Sequence, residues 1–289
     1  MSDHDKDIDQ ETGVETTGHS WDGIKELNNP LPRWWLWTLY LCIAWGIWYV
    51  IAYPAWPLIK GATEGYKGYS TRANVEAEID AVNEANSELR NALTNVDLAT
   101  LTQNEELNRF AVAGGAAVFR TNCSQCHGSG AAGAKGYPNL LDDDWLWGGS
   151  IEDIALTVNH GIRNEIDPDA RWSQMPAFGE LLEKAELDNV VQYVVSLSST
   201  EFDAGMAAAG AVTFGEQCSA CHGVDAKGVR DFGAPNLTDA IWLYGGDVAT
   251  LTETITNSRF GVMPPWGTRL SQSDVNAVAA YVHQLGGGE

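Results

Sequence analysis

The pentapeptide Cys-x-x-Cys-His occurs twice, as "CSQCH" at residues 123–127 and "CSACH" at residues 218–222. Together the copies use four of the five cysteines in the chain. Two cysteines at this spacing lie near one side of a helical turn, and the next residue projects its imidazole over whatever the sulfurs hold. That is the geometry of covalent haem attachment: the thiols add to the haem vinyl groups and the histidine ligates the iron from one face. Cys123, Cys126 and His127 make one such set, and Cys218, Cys221 and His222 the other. The competing chemistries lack their context. Zinc sites built from two Cys-x-x-Cys pairs usually have about 15–20 residues between the pairs, whereas Cys126 and Cys218 stand in separate repeats. A thioredoxin-like redox pair belongs beside a βαβ pattern, and the sequence shows no strand run of convincing alternation.

The pentapeptides belong to a longer duplication. Setting His127 on His222 also sets Phe119 on Phe214. With a slightly larger offset Pro138 falls on Pro235, Trp145 on Trp242 and the pair Gly148-Gly149 on Gly245-Gly246. Further on, Met175 falls on Met263 and Tyr193 on Tyr281, with nine extra residues in the first repeat around "NEIDPDARW". This insertion is read first as a longer loop, with the shaping of a partner-docking face as the alternative. Each repeat closes with a helical pattern, "EKAELDNVVQYVVSLSS" and "SQSDVNAVAAYVHQLG". Ser271 and Asp274 open the second in capping-box spacing, with aspartate where glutamate is commoner.

Histidine and methionine placement narrows the iron ligands. The methionines are Met1, Met175, Met206 and Met263; Met175 and Met263 lie 48 and 41 residues after their histidines. Each precedes a proline, which disfavours helical dihedrals and favours an extended segment able to cross an open haem face. His127 and His222 with Met175 and Met263 are therefore the candidate axial ligands. Which methionine faces which haem stays open, since packed repeats can exchange loops. Met206 sits in an amphipathic helix and reads as packing. His160 and His283 have no counterpart in the other repeat and read as surface residues, His160 at or near a haem edge. The carbonyls of Pro138 and Pro235 lie at a distance suited to accepting the other ring proton of each histidine.

Residues 34–59, "WWLWTLYLCIAWGIWYVIAYPAWPLI", contain no charged residue. A helix from Trp34 to Tyr53, stopped by Pro54, is about 30 Å long at 1.5 Å per residue, the thickness of a hydrocarbon core. Trp34, Trp35 and Trp37 at one end and Trp48, Tyr49, Tyr53 and Trp56 at the other fit interfacial aromatic belts. Cys42 within the run reads as a small apolar filler. The acidic start and the lack of a small-residue cleavage site favour a retained anchor over a cleaved signal. Lys25 and Arg33 on one side and Lys60, Lys67 and Arg72 on the other leave orientation undecided by charge. Beyond the anchor, apolar residues at Val75, Ile79, Val82, Leu89 and Leu93 predict an amphipathic spacer helix over 74–93.

The expected architecture is all-α: an acidic segment 1–33, an anchor 34–59, a linker 60–107 and helical domains 108–200 and 201–289. With 39 acidic against 17 basic residues the net charge is −22. No cationic surface is available for nucleic acid phosphates. Acidic surface near a haem edge would instead steer a lysine-rich partner.

Two Cys-x-x-Cys-His segments, each followed by "PNL", Met-Pro and a closing helix with an aromatic, resemble a tandem of class I cytochrome c domains. The anchor stretch "WDGIKELNNPLPRWWLWTLY" with "YPAWP" resembles the diheme subunit of cbb3-type haem-copper cytochrome c oxidases, the CcoP or FixP family, from Trp21 to the end of the chain. The resemblance implies a bacterial inner-membrane subunit with a cytoplasmic amino end and periplasmic haem domains. It implies two covalent haem c groups with His/Met ligation. It implies electron flow from a soluble cytochrome c, through both haems, to a monohaem subunit and a haem-copper subunit that reduces oxygen and pumps protons. A diheme peroxidase, which needs a displaceable ligand on one iron, and a membrane-tethered shuttle for another oxidase, a nitric oxide reductase or a dehydrogenase are the competing functions.

Overall fold

The computed structural model describes residues 7–289, and the chain divides after Glu84 into two compact units. The first opens with an antiparallel hairpin, β1 (Thr16–Trp21) and β2 (Ile24–Leu27). Asp22 and Gly23 close it with positive φ angles of 50° and 85°, the conformation an Asp-Gly pair favours in a two-residue hairpin turn. The strand-free reading missed it because the flanking residues do not alternate in polarity.

Helix α1 (Arg33–Ala52) follows, with mean hydropathy 1.5. Of its 20 residues only Ala52 is buried. A helix apolar on every face and exposed nearly throughout is long and apolar enough to cross a membrane. It stops as expected before Pro54, and its last carbonyls are satisfied locally: Ile51 and Ala52 accept from the Tyr66 and Lys67 amides at 3.3 and 3.1 Å. At this end Tyr49 stacks on Tyr53, and the Lys67 ammonium lies 5.4 and 5.1 Å from the Trp48 and Tyr53 ring centres. Aromatic and basic groups gathered in this way suit a headgroup layer. Short strands β3 (Pro57–Leu58) and β4 (Gly61–Ala62) pair beyond it, and α2 (Thr71–Ala85) follows.

The expected single spacer helix is two. The chain breaks at Asn86 and resumes as α3 (Ser87–Asn95). Val75 and Ile79 of α2 are exposed, while Leu89 and Leu93 of α3 pack into a core. One apolar stripe in the sequence thus serves two different surroundings.

The second unit is helical, as expected. After α3, its α-helices are α4 (Glu105–Val118), α5 (Ser124–His127), α6 (Ile151–His160), α7 (Lys184–Ser198), α8 (Ala204–Gln217), α9 (Ser219–His222), α10 (Val248–Asn257) and α11 (Gln272–His283). Side-chain caps start most of the long helices. Asn104, Ser150, Asp203, Asp247 and Ser271 each accept an amide near the start of their helix, which satisfies donors that have no intrahelical partner. Ser271 fulfils its expected role, accepting from the Asp274 amide at 3.2 Å.

The packing cuts across the repeat boundary near residue 200. Helix α11, which closes the second repeat, lies on α4, α6 and α3, and its Val275 and Val278 share a core with Leu93, Leu107, Phe119 and Ile154. Helix α7, which closes the first repeat, lies on α8 and α10, and its Val190 and Val191 share a core with Phe214, Leu237 and Leu251. The second core is continuous in the chain from the segment before α7 to α10. The first is interrupted by it and completed by the carboxy-terminal helix. Each crossing is close: an added Cβ at Gly115 would meet the Ala277 carbonyl oxygen at 2.0 Å, and one at the equivalent Gly210 would meet that of Asn189 at 2.0 Å.

Candidate functional site

Each Cys-x-x-Cys-His segment sits where a long helix ends and a single further turn begins. A π-helical turn over Phe119–Cys123 joins α4 to α5, and α8 passes through Cys218 into α9. Both short helices stop at a glycine, Gly128 or Gly223, each with φ of 79°, a value that only glycine adopts without strain. The following loops are built alike. The His127 carbonyl accepts from the Gly133 amide at 2.9 Å and that of His222 from Gly228 at 2.8 Å; Ala131 and Ala226 carbonyls accept from Leu140 and Leu237.

These loops return a proline carbonyl to the histidine. His127 Nδ1 lies 3.2 Å from the Pro138 oxygen, and His222 Nδ1 lies 3.2 Å from that of Pro235, the arrangement the spacing suggested. A carbonyl only accepts, so Nδ1 carries the proton and Nε2 keeps a free lone pair. Burial holds both imidazoles below the usual histidine pKa, against the opposing proline contact. A neutral imidazole with one committed nitrogen is a ready iron ligand. The first cysteine of each pair is a half-buried neutral thiol: partial burial, with the second thiol nearby, pushes Cys123 and Cys218 up to about 11. This is the reverse of a nucleophilic redox thiol. All four cysteines are unpaired.

The methionines approach from the opposite repeat. Met175 lines a cavity of about 620 Å³ with Cys218, Cys221 and His222. The Ser258 hydroxyl at the end of α10 donates to the Met175 carbonyl. Met263 packs, as Cys123 does, against the core that contains Phe119. It is held to the end of α6, where its amide and carbonyl pair with those of Ile162. The aromatic pairs cross in the same way: Phe119 meets Tyr281 at 5.5 Å between ring centres, and Phe214 meets Tyr193 at 5.0 Å.

The cavity fits a haem group. Its volume falls within the roughly 300–1,000 Å³ of cofactor sites, its walls include apolar Phe178, Val194 and Leu251, and its polar lining includes the thiols, the imidazole and the thioether that covalent haem requires, beside charged groups such as Arg163, Arg259, Asp142 and Asp144. His160 and His283 do not line it. His160 Nδ1 pairs with Asp167 at 2.9 Å, inside the insertion, and His283 Nε2 lies 2.9 Å from the Glu289 carbonyl. Met206 is half-buried in α8, away from that cavity. The insertion is more than a slack loop: Asn164 accepts from the Ile166 and Asp167 amides, and Arg171 pairs with Asp153 at 2.5 Å. Sequence reasoning overlooked Arg163, Arg171 and Arg259, which the structure brings to the aromatic rings of Trp147 and Tyr244. The one available signal was that Arg171 and Arg259 each stand four residues before a candidate methionine.

Comparison with known proteins gives the family of the chain. Residues 13–60 match the model described as the N-terminal domain of cytochrome oxidase-cbb3, FixP. Residues 110–194 and 205–282 match that of cytochrome c oxidase, cbb3-type, subunit III. The chain belongs to the cbb3-type cytochrome c oxidase subunit III family. It is 60% identical over 276 residues to the cbb3-type cytochrome c oxidase subunit CcoP of Cereibacter sphaeroides, covering 95% of each chain. It is 52% identical over 292 residues to the subunit FixP of a Bradyrhizobium species, covering 100% of both, and 47% identical to FixP of Rhizobium etli, covering 98% and 99%. Two cytochrome c domains of this family imply haem c.

Proposed function

We propose that this chain is a membrane-anchored diheme c-type cytochrome that relays electrons from a soluble cytochrome c to the other subunits of a proton-pumping cbb3-type oxidase. One haem c joins Cys123 and Cys126, the other Cys218 and Cys221. The ligand sets are crossed: His127 with Met263, and His222 with Met175. The observation that carries this reading is the pair of matched settings, each with two thiols, a neutral histidine committed through Nδ1 to a proline carbonyl, and a methionine segment brought from the other repeat.

A haem held by histidine and methionine supplies one-electron transfer without an open ligand position, at a raised potential. The chain's part is to fix the imidazole, wall the cofactor with apolar side chains and hold the methionine in place. Symmetric ligand sets disfavour a peroxidase, which needs one displaceable ligand. Oxygen reduction then falls to a haem-copper catalytic subunit, reached through a monohaem cytochrome c subunit. Helix α1 anchors the chain in the bacterial inner membrane, with a cytoplasmic amino end and periplasmic haem domains.

The test is mild-detergent purification through a tag on this chain, with metal analysis and haem spectra. Haem b and copper accompanying haem c are expected. Haem c alone would overturn the oxidase assignment in favour of a tethered shuttle, and oxygen consumption by the isolated chain at oxidase-like rates would overturn the relay itself.

A further inference from the structure

Two guanidinium groups reach the cavity around Cys218, Cys221, His222 and Met175: Arg163 and Arg259. Arg259 has a counterpart in the first repeat. It lies over the Tyr244 ring at 4.8 Å, as Arg171 lies over Trp147 at 5.9 Å. Each of these arginines is matched by a carboxylate, Glu253 at 3.1 Å and Asp153 at 2.5 Å.

Arg163 breaks the symmetry. Aligning the ends of α6 and α10, His160 on Asn257, places Phe260 opposite it. Arg163 comes from the first repeat but lines the second cavity. It is half-buried and lies 5.4 Å from the Trp147 ring centre. Its Nε donates to the Ser173 carbonyl and its Nη1 to that of Gly261 at 3.2 Å. Among the described residues no carboxylate pairs with it, and Nη2 has no hydrogen-bond partner. In a chain with 39 acidic residues, a half-buried guanidinium left without a counter-charge is a costly arrangement unless an anion comes to it. Haem brings two carboxylates of its own, and a planar guanidinium with free N–H donors suits a carboxylate.

We infer that Arg163 is a haem-propionate-binding residue of the second site, and that its positive charge raises that haem's reduction potential. This rests on reading both sites as haem sites. A cation near the iron disfavours the oxidised state, which carries one more positive charge than the reduced, and burial strengthens the effect.

The experiment is a spectroelectrochemical titration of the full detergent-solubilised chain, with haem content measured in parallel. Wild type, Arg163→Gln and Arg163→Lys are compared. To assign the waves, the same series is run in a Cys123→Ala/Cys126→Ala chain that carries only the second haem. Arg163→Gln is expected to lower the second haem's midpoint by at least a tenfold change in its reduction equilibrium, about 59 mV for one electron. The first haem should move less, and Arg163→Lys should keep most of the wild-type value. Two haems per chain with both midpoints unmoved in Arg163→Gln would overturn the role of Arg163, as would a larger shift on the first haem. A wild-type chain without two covalent haems would instead overturn the reading on which it rests.

Discussion

Ile162 and Met263, from different repeats, exchange backbone hydrogen bonds in both directions at 2.9 and 3.0 Å. That contact fixes Met263 at the end of α6, on the core that carries Cys123, while Ser258 fixes Met175 at the end of α10. The prediction is a crossed phenotype. In a chain whose second haem has been removed by Cys218→Ala and Cys221→Ala, Met263→Leu should abolish the methionine–iron charge-transfer absorption of the remaining haem. Met175→Leu should leave that absorption in place. The opposite pattern would mean that each methionine serves its own repeat.

Neighbouring glycines in α4 should behave in opposite ways. A Cβ at Gly115 would meet the Ala277 carbonyl oxygen at 2.0 Å, whereas one at Gly114 would meet nothing closer than the Ala277 Cβ at 4.0 Å. Gly115→Ala forces α4 and α11 apart, and overpacking of this kind costs about 1–3 kcal/mol. Gly114→Ala carries only the helix-propensity gain of about 1 kcal/mol. Thermal melting of the two variants should shift in opposite directions; equal shifts would remove the close crossing from the account of how the first core is held.

How much of this was legible beforehand depends on what kind of constraint each feature obeys. Cys123, Cys126 and His127, with their second copies, are fixed by covalent and ligand chemistry, so residue type and spacing announce them. The Pro138 and Pro235 carbonyls and the Ser271 cap follow from local geometry of the same sort. The crossing of the repeats was hidden by their similarity. Phe119 meets Tyr281 and Phe214 meets Tyr193, and exchanging the two tyrosines would give chemically identical pairs. Sequence periodicity specifies an apolar face, not which of two similar faces it meets. Arg163 left no trace either, because its significance comes from Trp147 and Gly261, distant in sequence, and from the lack of a facing carboxylate. The Asp22-Gly23 turn was visible, but without alternating neighbours it carried no strand signal.

Asp144 should make stability depend on pH in the less common direction. Burial, reinforced by Asp239, Asp142 and Asp143 and opposed by Arg230, pushes its carboxyl from 3.8 up to about 6. A carboxyl with a raised folded-state pKa contributes stability while protonated, and that contribution is lost as pH rises from about 4 through about 6. Asp144→Asn removes the penalty of the buried charge. The variant should be more stable than wild type by on the order of 1 kcal/mol at neutral pH, once partial solvent screening is discounted. The two should converge near pH 4, and a difference in denaturation midpoint independent of pH would contradict this.

The charge of −22 bears on the encounter with a donor. Attraction between exposed charges weakens as salt shortens the Debye length, from about 10 Å at 0.1 M to about 3 Å at 1 M. Stopped-flow reduction by a lysine-rich soluble cytochrome c should therefore slow steeply as ionic strength rises. A rate indifferent to salt would show that acidic residues do not guide docking.

The interrupted first core makes one end of the chain unexpectedly important to the opposite haem. Ending the chain after Gly261 removes Met263, Trp266 and α11, which build or pack on the core carrying Cys123, and keeps Ser258 on the Met175 carbonyl. The continuous second core keeps Met175, α7, α8, His222 and α10. Truncation there should leave a low-spin haem on Cys218 and Cys221 with methionine ligation intact. The haem on Cys123 and Cys126, far earlier in the sequence, should lose its sixth ligand and become reactive toward carbon monoxide. A carbon monoxide difference spectrum of the truncated chain, read against the matching Cys→Ala variants, distinguishes the two haems. If the second haem bound carbon monoxide and the first stayed low-spin, the carboxy-terminal segment would belong to its own repeat and the interleaved packing would be wrong.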